Sequence, residues 1–433
     1  MPSPTTPRAV ALLLALAACA RQDDAPVAAA RAAPPRPAAG TDVAPGTLPA
    51  ALEAAPEGAV LCLAPGRHEG PIVVRRKVTL WGPPDAVVAG SGRGTTVTVE
   101  APGSALLGFT VDGSGTRFDL LDAAVHVAAS DVRVEGLTVR GALFGILVQR
   151  AARVVVRGNE VVGTGQAAMG LRGDTIRLWE ASDCTVADNF VRDGRDVVVW
   201  YSDRARVVRN TVLGGRYGTH FMFSRDSTVE GNSWVGNVVG LFVMYSHGIA
   251  VRDNLVSRCT GAAGIGIGLK ESGNLAIERN RLIANTVGMF FDSSPLDPDE
   301  HNRVAENVVR LSGTAIHFHG GAARNRFLAN TFRDNHHQVR VDGGGDALAA
   351  EWLGNAWDDY QGYDLDGDGT GDLPYEVRSL ATQLTGKYPD LAFFHGTPAL
   401  FLVDLTGKAM PMFRPKTLLV DRAPRVGKDV DAR

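Results

Sequence analysis

Cysteine is scarce, with four residues in 433. Cys19 sits in a targeting segment, which leaves Cys62, Cys184 and Cys259. Three thiols cannot all pair, and Cys184 and Cys259 fall at different points of a repeat. They read as buried free thiols and not as a disulfide framework. An excess of one charge is missing too: 44 Lys and Arg stand against 47 Asp and Glu, a net charge of −3. There is no basic stripe of the kind nucleic acid requires. Nor is there a Lys/Arg cluster to line a groove for an acidic polysaccharide. After the N-terminal segment, no apolar run is long enough to span a bilayer.

Asparagine and glycine are plentiful. Asparagines recur at 159, 189, 210, 232, 254, 280, 307, 330 and 355. The residue three before each is apolar, from Val156 to Trp352, and so is the residue two after, from Val161 to Trp357. A period of about 22 residues with a fixed local frame marks a repeat architecture. Each repeat is rich in β-branched residues and broken by Gly and Asn, so it reads as strands and turns. One coil cannot bury its own apolar face, so coils must stack. Asn tolerates a left-handed turn, and its amide can bond to the same amide one coil on. The expected fold is all-β: a right-handed single-stranded parallel β-helix, or solenoid, with an N-terminal cap and a C-terminal extension.

Residues 1–18 read as a signal peptide, with the apolar run Ala9 to Ala18 too short to span a bilayer. Leu16-Ala17-Ala18-Cys19 resembles a bacterial lipobox, which makes Cys19 the acylated first residue of an exported lipoprotein. The alternative is an ordinary signal peptide with Cys19 incidental. Ala20 and Arg21 follow where an inner-membrane retention aspartate would stand, which points toward an outer-membrane anchor. Residues 20–46, rich in Ala and Pro, read as a tether. The β-helix with its cap is assigned to 47–357, and an acidic loop with a C-terminal cap or docking tail to 358–433.

Aligning coils on their asparagines also aligns a strand midway between them. His220 and Met222 share a face, because residues i and i+2 of a strand do. Met222 and Met244 are one coil apart, which stacks them roughly 4.8 Å from each other. Trp179 and Trp200 occupy the same column, and Arg177 on the Trp179 face places that column outside. Met289, His317 and His319 are expected further along the strip. Thioether with imidazole suits Cu(I), because soft ligands select it over hard divalent ions. An indole face can shield a cation. The candidate copper ligands are therefore His220, Met222, Met244, His317 and His319. The competing reading is core filling by Met and Trp at coil spacing.

Two further constellations carry chemistry. Asp364, Asp366, Asp368, the Thr370 carbonyl and Asp372, with Gly369 at the sixth position, match the first part of an EF-hand-type calcium loop. The bidentate Glu at position 12 is missing, and Tyr375 stands there. A Ca2+ ion bound here would be structural. One residue beyond the Trp/Met column, Glu180, Tyr201, Tyr245, Lys270, Asp292, His319 and Asp342 are read as a second column. Within it Lys270, Asp292 and His319 could serve a lyase or epimerase acting on uronate polymers.

The run Gly354-Asn-Ala-Trp357-Asp-Asp-Tyr360, followed by Asp364 to Tyr375, resembles the C-terminal signature of the NosD family. His220-Phe-Met222-Phe-Ser224, Val243-Met244-Tyr-Ser246 and Ile316-His317-Phe are similar to coils of that family. So is the tail after Tyr388-Pro389. The resemblance implies a periplasmic accessory protein, not an enzyme, that works with the ABC transporter subunits NosF and NosY. It would take copper from a periplasmic copper chaperone and pass it to apo nitrous oxide reductase. A lipobox with a tether departs from the plain signal peptide usual in the family. A protein-binding scaffold without metal is a third reading of the strip.

Overall fold

The computed structural model describes residues 34–394, 397–410 and 415–426. The signal peptide, Cys19 and the first part of the tether lie outside them. Among the described residues the chain winds three parallel sheets of 14, 12 and 13 strands. In the middle of the solenoid each coil gives a six-residue strand to the 12-stranded sheet and a three-residue strand to each of the others, as in Val239–Met244, Ala250–Arg252 and Leu255–Ser257. The apolar positions flanking the asparagines form two core columns. Val207, Val229, Val251, Ile277 and Val304 are register partners in one. Val212, Trp234, Val256, Leu282 and Val309 are partners in the other. All ten are buried, so each coil buries its apolar face on its neighbours.

The asparagines form a continuous ladder. Each Nδ2 from Asn159 to Asn330 donates to Oδ1 of the next asparagine at 2.9–3.0 Å. Their role differs from expectation in one respect. The left-handed residue at this corner is the one before the asparagine, for example Arg209, Asp253 and Arg279 with φ of 53°, 55° and 53°. The asparagine is kept for its buried amide and not for its backbone conformation. A second ladder escaped the sequence reading. Ser202, Ser224, Ser246, Ser272 and Ser294 line another corner, each Oγ accepting from a backbone N–H one coil earlier at 3.0–3.2 Å.

The N-terminal end is closed by helix α1, Leu48–Ala54, with Leu48 fully buried. Structure begins before residue 47. Thr41–Val43, inside the stretch read as tether, pairs with Ala59–Leu63 and buries Val43. Three residues among Ala and Pro are too few to show a period. The last strand of the solenoid is Ala356–Trp357. Trp357 stacks on Phe332 and on Tyr375, both at 4.5 Å. Asp421 closes the ladder: its Oδ2 accepts from Asn355 Nδ2 at 2.8 Å and from Asn355 N at 3.0 Å. Helices α2, Leu380–Lys387, and α3, Pro398–Ala409, follow the solenoid.

Candidate metal site on the long-strand face

The candidate site lies on the outer face of the 12-stranded sheet, where strand pairing fixes two columns. Trp179, Trp200, Met222, Met244, Lys270, Asp292 and His319 are successive partners in one. Two residues earlier along each strand run Val198, His220, Phe242, Gly268, Phe290 and His317. The strip is outward, as Arg177 implied: its guanidinium lies 4.4 Å from the Trp179 ring centre and 5.2 Å from that of Trp200.

His220 is only 5% exposed although its strand face is outward. Aromatic neighbours cover it: Tyr217 at 4.6 Å, Trp200 at 5.4 Å and Phe242 at 6.5 Å between ring centres. Gly268 gives Phe242 its room, since a Cβ there would sit 2.5 Å from the ring. Nε2 of His220 faces Sδ of Met244 at 3.1 Å, and Nδ1 lies 3.3 Å from Trp200 Nε1. Burial pushes the His220 pKa down from 6.5 to about 4, so the imidazole is neutral at pH 7. A neutral nitrogen beside a thioether is a soft donor pair that needs no carboxylate. Bonds of about 2.0 Å to nitrogen and 2.3 Å to sulfur place the two donors roughly 3.5 Å apart in a tetrahedral site. A retreat of Met244 by about 0.4 Å would therefore admit an ion.

The depressed pKa has a stability consequence. Between pH 6.5 and about 4 the unfolded chain takes up a proton on His220 that the folded chain refuses. Stability is therefore expected to fall as pH drops through that window, by roughly 3 kcal/mol in full from this group, and to be flat above it. Burial lowers His126 and His317 in the same direction. Urea unfolding at pH 7.5 and 4.5 checks this, and His220→Phe should remove its share of the slope.

The five candidate copper ligands do not form one site. His317 stands four coils from His220 along the register, about 19 Å at the strand spacing. His317 and His319 instead share Asp342: His319 Nδ1 is 3.0 Å from Oδ2, and His317 Nε2 is 3.0 Å from Oδ1 but off the hydrogen-bonding direction. Met289 points inward and is 1% exposed, because it pairs with Ile267 and Ile316 in the core.

The second column also divides. Glu180, Tyr201 and Tyr245 sit at left-handed corners, whereas Lys270, Asp292 and His319 continue the Met244 column. Register pairs Val239 with Ile265, Leu241 with Ile267 and Met244 with Lys270. Lys270 Nζ lies 3.4 Å from Asp292 Oδ2, and that carboxylate raises the lysine pKa. A lysine held charged is a poor general base.

In the acidic loop, carboxylate oxygens of Asp364, Asp366 and Asp368 lie within 4.8 Å of one another. Asp364 accepts from the backbone N–H of Gly367 at 2.7 Å and Gly369 at 2.9 Å, which holds its pKa low. Asp368 Oδ1 accepts from Thr370 N at 2.7 Å and Asp372 Oδ2 from Leu365 N at 2.7 Å. Tyr375, at the twelfth position, is spent on packing: it is buried against Trp357, and its hydroxyl donates to Asp359 at 2.8 Å. Cys62, Cys184 and Cys259 are free and buried. Burial raises the Cys184 and Cys259 pKa values to about 11 and about 12, which makes those thiols inert at neutral pH.

A family profile described as "Periplasmic copper-binding protein (NosD)" matches residues 157–362. A Pseudomonas aeruginosa protein named "Probable ABC transporter binding protein NosD" is 29% identical over 378 residues, 81% of this chain and 85% of that protein. A Stutzerimonas stutzeri protein of the same name is 26% identical over 382 residues, 81% of this chain and 83% of its own length. In fold the chain is similar to the A-module of the Azotobacter vinelandii mannuronan C-5 epimerase AlgE6. The TM-score is 0.52 at 15% identity, over 69% of this chain and 91% of that one. The profile spans the candidate site and both relatives extend over four fifths of the sequence, so the chain is similar to proteins of the NosD family along most of its length.

Proposed function

We propose that this protein binds Cu(I) at His220, Met222 and Met244 and helps assemble the copper cluster of nitrous oxide reductase. The observation that carries the reading is the 3.1 Å approach of a buried neutral imidazole nitrogen to a thioether on an outward strand. Soft neutral donors retain a monovalent soft ion in an oxidising compartment and offer little to Ca2+ or Mg2+. Copper is cargo: it arrives from a periplasmic copper chaperone and leaves to the apo reductase, with an ABC transporter of NosF and NosY as partner. The tail after the solenoid is the docking segment for that transporter, and Cys19 is the lipid anchor. The protein is an accessory factor and not a uronate lyase or epimerase, a reading that the Asp292-bound state of Lys270 disfavours.

Reductase copper content tests this. A strain lacking the protein should yield copper-poor reductase, restored by wild type and not by a His220→Ala/Met222→Ala/Met244→Ala variant. Full restoration by that variant would refute the proposal.

The acidic loop is proposed to hold a structural Ca2+ through Asp364, Asp366, Asp368, Thr370 and Asp372. The loop is zipped to the C-terminal segment by Gly371 N to Pro424 O and Val426 N to Gly369 O. Calcium at 100 times its Kd should add about 2.7 kcal/mol. Limited proteolysis near residue 424 should be faster in EGTA than in calcium, and Asp366→Asn should abolish the difference. Equal cleavage in both would contradict it.

A further inference from the structure

Trp200 touches the ring nitrogen of His220 that faces away from sulfur. Its Nε1 lies 3.3 Å from His220 Nδ1, and an indole nitrogen can only donate. Nδ1 is therefore the acceptor. In a neutral imidazole the hydrogen then sits on Nε2, pointed at Met244 Sδ 3.1 Å away, and sulfur accepts it weakly. This hydrogen-bond arrangement thus holds the tautomer whose sulfur-facing nitrogen has no lone pair to offer. A cation bound between Nε2 and Sδ needs that lone pair. The hydrogen must move from Nε2 to Nδ1, exchanging through solvent with no net release. There it meets the indole N–H, so two donors face each other and the bond to Trp200 breaks.

We propose that Trp200 is a positioning residue that weakens cation capture: by donating to His220 Nδ1 it favours the tautomer that does not bind. This rests on reading His220 and Met244 as the cargo site. Each loading event then costs one hydrogen bond, and each release restores it, which suits a carrier that must hand its ion on. Packing holds the Trp200 ring against the imidazole. Trp200 is part-buried in the outward column between Trp179 and Met222, its ring centre is 5.6 Å from that of Trp179, and the Arg177 guanidinium lies over it.

The test is anaerobic Cu(I) titration against a competing chelator for wild type, Trp200→Phe and His220→Ala, with 15N NMR of the wild-type histidines. Losing an opposing hydrogen bond of about 1 kcal/mol should tighten Cu(I) binding by Trp200→Phe about fivefold at unchanged stoichiometry. The empty wild type should give the Nε2–H pattern for His220 and the loaded protein Nδ1–H. If His220→Ala loses binding but Trp200→Phe binds no tighter, the role of Trp200 is overturned and the site stands. An Nδ1–H pattern in the empty protein overturns it as well. If His220→Ala binds as wild type does, the site itself is wrong and the inference falls with it.

Discussion

Asn254→Ala is expected to destabilise the protein by about 2–4 kcal/mol, from one orphaned backbone N–H, the lost amide bonds and a small cavity. Oδ1 of Asn254 accepts from Asn232 N at 2.8 Å and Asn232 Nδ2 at 2.9 Å, and its own Nδ2 donates to Val229 O at 3.0 Å and Asn280 Oδ1 at 2.9 Å. Removing the side chain strands the Asn232 N–H in a fully buried corner and takes one donor from the Val229 carbonyl. The neighbouring amides keep other partners, Asn232 through Val207 O and Asn280 through Asn254 N. Asp421→Asn should cost less, because an amide oxygen can still accept from Asn355 and Trp357. Denaturant unfolding followed by circular dichroism checks the order. Equal midpoints for Asn254→Ala and wild type would show that the ladder is decoration.

Met244→Leu is expected to weaken Cu(I) binding by more than about 100-fold, beyond what partners outside a coordination shell usually carry, while leaving the fold intact. The swap nearly conserves volume and costs less than about 1.5 kcal/mol. Met244 is half-buried on the outer face, so no core contact depends on its sulfur. His220→Ala should match the loss of affinity with a different side effect: it removes a ring packed among Tyr217, Trp200 and Phe242. Variants at His317 or His319 should leave the affinity unchanged, because those rings lie four coils away. That contrast separates the ligands from histidines that merely lie on the same outer face.

The scaffold was legible because its rule is local. A buried amide flanked by apolar residues at fixed offsets recurs often enough to be counted, and it locates the core columns. What escaped the sequence needed three-dimensional register. Asp421 completes the ladder from 66 residues beyond Asn355, where no period points to it. The serine ladder did repeat, at 202, 224, 246, 272 and 294, but serine is too common in turns for the spacing to stand out. The residues Thr260 to Gly264 loop out before the strand Ile265–Lys270, so counting from Asn254 does not place Lys270, whose register partner is Met244. His220 with Met244 was found by spacing, because their strands are uninterrupted six-residue runs. The separation of His317 from them, and the contact of Trp200 with Nδ1, depend on distances that spacing does not encode.

Anaerobic Cu(I) titration of the mature protein, wild type against His220→Ala/Met222→Ala/Met244→Ala, tests the central claim most directly. The structure predicts one tightly held Cu(I) in the wild type, with nitrogen and sulfur in its X-ray absorption spectrum, and loss of that equivalent in the variant. Equal binding by the two proteins would contradict it and move the copper site elsewhere.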